Sequence, residues 1–380
     1  MASPLSVMLM VPSLCYGGAE KHVITLANKL NSDWVRCSLV YLKPNEAMLD
    51  QVDRSRLDAV ISLKVRGRID PRAVRALSEH IDRLAIDVVV CATEYPTLWA
   101  WLATRSTRRK PKLVEIFHTT VFGSRKERLL MWLYRWIFRR LDLLIYVSLR
   151  QQQYWQCRGL AARDSAMIHN GIDCDHFQDL YPPSVKSTLR AQYGFAPHDF
   201  VVGLCAALRP EKAHSDLLRA IAQLRGEGLK VRCLIIGDGV ERARIEGEIA
   251  RLQLASYAAI TGFQSDVRPF LASCDAIALP SHSVETFSIA ALEAMAMGKP
   301  TVLSRIGGAE EIVVDGETGF LFEAGAIDQL ADRLRRLADV PTRQRMGTAG
   351  SARVRALFTE SAMMQRYAEL LSKLAASPDQ

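Results

Sequence analysis

The stretch Ser281-His-Ser-Val-Glu-Thr-Phe-Ser-Ile-Ala-Ala-Leu-Glu-Ala-Met-Ala-Met-Gly298 carries a polar turn straight into a run of small and apolar residues. In front of it, Asp275-Ala-Ile-Ala-Leu-Pro280 reads as a buried parallel strand that gives way to a loop. Strand, loop and helix start therefore follow one another here. The first amides of that helix, near Phe287, Ser288 and Ile289, have no partners in a preceding turn and stand at the positive end of the helix dipole, which suits a phosphate. Glu285 would repel a phosphate and is expected to accept hydrogen bonds from hydroxyl groups instead. On a continuous helix, eight residues at the usual rise put Glu293 roughly 12 Å further along. That spacing suits a carboxylate at each end of a bound sugar nucleotide, with its diphosphate on the amides between.

Taken alone, a Glu pair eight apart fits a buried helix whose carboxylates only cap and solvate its ends. The surrounding residues favour the functional reading. The helix stops at Gly298, followed by Lys299-Pro300 and a new apolar run, Thr301-Val-Leu303. Gly307-Gly308-Ala-Glu-Glu311 and Asp315-Gly-Glu-Thr-Gly319 come next. In these motifs the chain resembles the family 4 glycosyltransferases, retaining nucleotide-sugar-dependent enzymes with the GT-B fold. Glu285 and Glu293 match that family's E-x7-E motif, and Gly307 and Gly308 its following glycine pair.

At 380 residues the chain can bury two cores, and its composition is that of an ordinary globular protein. No apolar run approaches eighteen residues, and Leu5-Ser-Val-Met-Leu-Met-Val11 follows no basic leader or cleavage pattern, so neither a span nor a signal peptide is expected. The eight cysteines form no C-x-x-C pair, and several sit in apolar runs, which suggests a reducing cytoplasmic setting without structural zinc. Residues 1–180 hold 26 Lys/Arg against 18 Asp/Glu, whereas 181–380 hold 23 of each. The net charge of +8 thus lies in the first half, where it can meet an anionic partner or merely form a solvated face.

Short apolar runs alternate with helical patterns twice over. Val7–Pro12, Val35–Tyr41, Val88–Ala92, Leu113–Phe117, Leu143–Val147 and the shorter Ser165–Ile168 read as strands of one sheet. Phe200–Leu204, Val231–Ile236, Ala258–Ile260, Ala276–Leu279 and Thr301–Leu303 read as strands of another. The fold class expected is α/β, two doubly wound parallel-sheet, Rossmann-like domains, and the resemblance implies the GT-B arrangement in which they face across a cleft. The division expected is 1–178 for an N-terminal acceptor domain and 179–360 for a C-terminal donor domain, with Tyr181-Pro-Pro-Ser184 breaking regular structure near the seam. In related proteins the terminal helix packs back on the first domain, and residues 361–380 are assigned that role.

Gly17 and Gly18, between the first strand and a helix, let a ligand approach the backbone, but G-x-G-x-x-G is not met and no dinucleotide site is expected. The resemblance assigns Gly17-Gly18-Ala-Glu20 to a turn facing the donor phosphates and the acceptor. Thr93-Glu94-Tyr95-Pro96 reads as a helix start. His118 follows a strand end, where open α/β sheets bind ligands, and the resemblance implies that it contacts the donor sugar. Thr119 stands where the family often has an acidic residue. Between Ser124 and Arg140, Arg128, Arg135 and Arg139 form a helical stripe beside Trp132 and Trp136, suited either to solvent or to an anionic membrane surface. Ile168-His-Asn-Gly-Ile-Asp173 resembles the family's P-N-G-V-D segment, with His169 for the proline. Asp173-Cys-Asp175 spells D-x-D but falls in that segment, so no metal is expected.

In the second half, Val201-Val-Gly-Leu-Cys-Ala-Ala-Leu-Arg-Pro-Glu-Lys-Ala-His214 is a strand end that brings cations toward a leaving diphosphate. The family's G-R-L-x-x-x-K-G matches at Lys212, whereas Ala207 takes the arginine position, leaving Arg209 or Arg305 to substitute. Ile235-Ile-Gly-Asp-Gly239 reads as a strand and turn, and Thr261-Gly-Phe263 has the family's spacing for a loop near the base.

The resemblance therefore implies a retaining glycosyltransferase moving a sugar from a UDP- or GDP-linked donor to a glycan or lipid-linked glycan, in cell-surface polysaccharide synthesis. His118, Glu285, Lys212 and Arg209 are the expected catalytic residues, and Gly17, Gly18, Phe287, Ser288, Ile289 and Glu293 the expected substrate contacts. Neither cofactor nor metal nor nucleic acid is expected. The expected location is the cytoplasm, with peripheral contact on the inner face of the membrane. The alternatives are a GT-B-like sugar-nucleotide epimerase, which needs no acceptor, and a non-catalytic protein that binds nucleic acid or membrane through its basic half.

Overall fold

The computed structural model describes residues 4–377 apart from 31, 33, 68–69 and 120–124, and the side chains of 125–130 and 133 also lie outside the described set. The chain divides into two compact units, residues 1–170 with 361–380, and residues 171–360.

In the first unit β1 (Leu5–Val11), β2 (Val35–Tyr41), β3 (Ala59–Ser62), β4 (Val88–Ala92), β5 (Lys112–Phe117), β6 (Leu143–Tyr146) and β7 (Asp164–Met167) form a parallel sheet in the order β3-β2-β1-β4-β5-β6-β7. In the second, β8 (Phe200–Cys205), β9 (Val231–Ile236), β10 (Ala258–Ile260), β11 (Ala276–Leu279), β12 (Thr301–Ser304) and β13 (Gly319–Phe322) give the order β10-β9-β8-β11-β12-β13. β4, β6 and β11 are buried along their whole length, so their sequences are unbroken apolar runs without alternation. Each sheet reverses its winding once, at β1/β4 and at β8/β11. Open α/β sheets bind ligands at the strand ends beside such a reversal.

The two strands with no counterpart in the sequence reading, β3 and β13, are both sheet edges of four residues. Every residue of β3 is only half-buried, which leaves little apolar signal. The division falls at Gly171, earlier than residue 178. Ile172 already bridges Thr359, and Ile172 N donates to Phe358 O at 3.0 Å, which ties the segment to the second unit. The helix Glu360–Ala376 returns the chain to the first unit, where Met363, Tyr367 and Leu371, at helical spacing, are its buried face. Among the described residues no helix is long and apolar enough to cross a membrane. All eight cysteines are free thiols.

Candidate active site

Lys212 closes the 3-10 turn Pro210–Lys212 after β8, and Glu285 sits in the loop after β11, so the reversal of the second sheet brings them together. Lys212 Nζ lies 2.6 Å from Glu285 Oε2, and Ser281 Oγ donates to the same oxygen at 3.1 Å. The loop is fastened on three sides. His282 N donates to Glu211 O at 2.8 Å, and His282 Nε2 pairs with Asp216 Oδ2 at 2.6 Å. Ser304 Oγ donates to Ser281 O at 2.6 Å, and Gly308 N to Thr286 O at 2.7 Å. Gly307 has φ of 50°, and a Cβ there would stand 1.8 Å from the Glu285 carbonyl oxygen, so only glycine fits. Ala213, beside Lys212, takes the left-handed conformation with φ of 51° where the resembled family has glycine.

The helix begins later than the sequence suggested. It spans Ile289–Ala296, with Ser288 as N-cap accepting from Ala291 N at 3.3 Å. Glu285 therefore lies off the helix, and the 12 Å helical ruler from Glu285 to Glu293 does not apply. The first intrahelical bond runs from Leu292 N to Ser288 O, so the amides of Ile289 and Ala290 lie at the open end. Phe287 precedes the helix. Its buried ring packs edge-on against Phe358 at 5.3 Å between centroids, which makes the side chain an anchor. Glu293 is only 4% exposed, on the buried part of the helix. Arg209 is exposed just before the turn that carries Lys212. Arg305 is held by Glu310, Asp315 and Glu323 at 2.6, 3.6 and 3.1 Å, which opposes the alternative that it substitutes for the family arginine.

In the first unit, Gly17 is the N-cap of the helix Gly18–Lys29. Glu20 folds back over it, its Oε2 2.2 Å from where a Gly17 Cβ would be, so this helix end already carries a carboxylate. Space beside Gly18 is open. His118 immediately follows β5. Gln151 Nε2 donates to Phe117 O at 2.7 Å and to Thr119 O at 3.0 Å, and Trp155 Nε1 donates to Thr119 O at 3.0 Å, fixing the backbone on either side. Thr119 Oγ1 donates to Glu94 Oε1 at 2.6 Å, joining the ends of β4 and β5. Thr93, between β4 and the helix Glu94–Thr104, has φ of 75°, a strained conformation for a β-branched residue.

Sequence reasoning missed His22 and Tyr367. The His22 and His118 rings stand edge-on with centroids 5.4 Å apart, and His22 Nε2 lies 3.1 Å from Tyr367 Oη. Burial pushes His118 down to about 4. Burial and then the neighbouring His118 push His22 down to about 3, against a smaller opposing contribution from Asn170. Both rings are neutral at pH 7. His22 had one signal, a polar residue among the otherwise apolar positions His22, Val23, Leu26 and Ala27 of its helix. Tyr367 had none, because its partner lies 345 residues away.

Other motifs separate from these clusters. Asp173 Oδ1 accepts from Asp175 N and His176 N, both at 3.0 Å, so the D-x-D stretch is a capped turn. Among the described residues no group of three His, Cys, Asp or Glu could hold a metal ion. In the helix Arg125–Phe138, Arg128 lies outside the described side chains. Arg135 departs from the expected exposed stripe, being half-buried and donating to Arg158 O. Trp132 and Trp136 are 65% and 49% exposed, and Arg140 stacks on Trp136 at 3.4 Å.

Residues 16–176 match the family model described as Glycosyltransferase Family 4, and residues 185–353 match Glycosyl transferases group 1. The putative glycosyltransferase EpsD of Bacillus subtilis is 26% identical over 83% of this chain and 85% of its own length. The N-acetyl-alpha-D-glucosaminyl L-malate synthase of Bacillus anthracis is 26% identical over 77% of this chain and 76% of its own. Among solved structures, Anabaena HepE in complex with UDP-glucose superposes with a TM-score of 0.86 at 25% identity, covering 97% of this chain and all of that one.

Proposed function

The chain belongs to the family 4 glycosyltransferases with the GT-B fold, and from that membership we propose that it transfers a sugar, with retention of configuration, from a UDP- or GDP-linked donor to a glycan or lipid-linked glycan. The observation that carries the reading is the Lys212–Glu285 pair at the β8/β11 reversal, beside the open amides of Ile289 and Ala290. A donor diphosphate arriving there would draw Lys212 from its carboxylate partner and leave Glu285 to accept from sugar hydroxyls. Lys212, the helix end and the exposed Arg209 would stabilise the departing diphosphate, in place of a metal ion. In retention, the acceptor oxygen bonds to the anomeric carbon on the face from which the diphosphate departs. His118 is read as a neutral contact to the sugar, Glu293 as a ribose ligand, and Gly17 and Gly18 as lining the substrate path. The solved relative that holds UDP-glucose supports a uridine donor, and a GDP-mannose-dependent mannosyltransferase from Corynebacterium glutamicum, 30% identical over 62% of this chain, supports a guanosine one.

A thermal-shift series with UDP, GDP, ADP and their sugars tests this, because a ligand at about a hundred times its dissociation constant adds about 2.7 kcal/mol to stability. One nucleotide should raise the melting temperature, and Lys212→Ala should abolish the rise. Equal shifts in wild type and variant would remove Lys212 from the site.

The exposed Trp132 and Trp136, with Arg140 stacked on the second and Arg105 5.0 Å above the neighbouring Trp101 ring, support peripheral contact with an anionic membrane. Tryptophan and arginine both favour the interface between headgroups and water. The wild type should sediment with phosphatidylglycerol vesicles at low salt and not with neutral ones, and Trp132→Ala/Trp136→Ala should remain in the supernatant. Sedimentation unchanged by that pair would move the contact elsewhere.

A further inference from the structure

We infer that Tyr367, on the returning helix Glu360–Ala376, is a positioning residue for sugar transfer, acting on His118 through His22. The inference rests on the proposed role of His118.

Three observations converge. Tyr367 and His22 are almost completely buried, and Tyr367 Oη meets His22 Nε2 at 3.1 Å. The two rings pack edge-on, 5.6 Å between centroids. His22 presents its ring to His118 in the same way at 5.4 Å. Three rings thus form a row whose far end is the proposed sugar contact. A packing role would need only the ring of Tyr367, whereas the hydroxyl meets a ring nitrogen that would otherwise face the protein interior.

The chemistry gives the row a direction. With His22 neutral, its Nε2 can accept a hydrogen bond from the Tyr367 hydroxyl, which goes with the tautomer that carries its proton on Nδ1. Asn170 lies near the same histidine. A fixed His22 ring constrains the rotation of His118 beside it. Two protonated rings at this distance would repel, so the row holds its geometry only while both stay neutral. All four residues belong to one unit, so the return of the C-terminal segment completes the support for His118.

The test compares Tyr367→Phe, His118→Ala and wild type in donor- and acceptor-dependent turnover and in the 15N shifts of histidine rings. Tyr367→Phe keeps the ring and removes only the hydroxyl. It should lower kcat roughly 3- to 10-fold, as expected for one buried hydrogen bond, with donor KM unchanged, the acid limb of the pH profile moved upward and the His22 ring shifts altered. Wild-type kcat, pH profile and ring shifts in Tyr367→Phe, alongside an inactive His118→Ala, would overturn this inference and leave the role of His118 intact. An active His118→Ala would instead overturn that role itself. If Tyr367→Phe folds poorly, His22→Phe, which keeps a ring beside His118, should show the same loss of kcat, and wild-type kcat in it would overturn the inference.

Discussion

Lys212 Nζ and Glu285 Oε2, 73 residues apart in sequence, stand 2.6 Å from each other with their side chains about one-fifth exposed. In the proposed reaction the ammonium would meet the donor diphosphate, and the carboxylate matches its charge in the meantime. Glu285→Gln removes the charge and keeps the shape. Turnover should fall about a hundredfold or more, because the amide accepts more weakly from the sugar and cannot take up the charge developing at the reacting carbon. Nucleoside diphosphate should bind the variant at least as tightly, since Lys212 no longer has a competing partner. Calorimetric titration with the diphosphate checks the second point, and weaker binding would mean that the pair holds the phosphate site open.

Ala213 is the backbone feature beside that lysine that can be relieved. A left-handed alanine costs about 1–2 kcal/mol, and glycine removes most of this while adding some freedom to the unfolded chain. Ala213→Gly should therefore stabilise by about 0.5–1 kcal/mol, or about 2 °C in the melting temperature. A lower melting temperature would mean that the Ala213 methyl, 7% exposed, packs well enough to repay the strain.

Gly307 tests the opposite side of the same loop. An added methyl would meet the Glu285 carbonyl at 1.8 Å, in a conformation that side chains rarely adopt. Backbone has to move, and the part that moves carries the proposed sugar ligand. Gly307→Ala should cost about 1–3 kcal/mol of stability and lose donor binding, whereas Gly316→Ala has open space, although its φ of 83° brings strain alone. Donor affinity measured on both separates clash from strain, and equal losses would leave strain as the whole cause.

What could be read from the sequence follows the range of each signal. Val88–Ala92 and Ala276–Leu279 are strands as expected, because residues buried on both faces make unbroken apolar runs. The edge strands Ala59–Ser62 and Gly319–Phe322 escaped, being short and, at Ala59–Ser62, only half-buried. Motif spacing brought out Lys212 and Glu285, which the sheet reversal then places in contact. Spacing misjudged the helix start, because the turn at Glu285–Phe287 is held by Gly307 and Gly308, some twenty residues away. His22 with Tyr367 is a contact between the two ends of the chain, and no local pattern reports such a pair.

Glu115 is a carboxylic acid in the middle of β5, wholly buried and facing the same apolar core as Phe117 and Tyr146. Neither oxygen has a hydrogen-bond partner among the described residues, although the Thr97 hydroxyl favours the ionised form slightly. Burial, then the charge of Glu94, pushes its pKa well above the ordinary 4.5. A raised carboxyl pKa means that the unfolded chain ionises first, so stability is lost as pH rises above 4.5 toward the folded value. Near neutral pH that stability is missing. Glu115→Gln should therefore melt with the wild type at pH 4.5 and above it at pH 7.5. The buried histidines work in the other direction. His22, His118 and His214 are held down to about 3, 4 and 4, so they remove stability only as pH falls below their ordinary 6.5. Their limb of the stability curve should be the same in both proteins. A gain from Glu115→Gln that did not change with pH would mean that the folded protein already ionises this carboxyl, and the substitution would then be acting through packing alone.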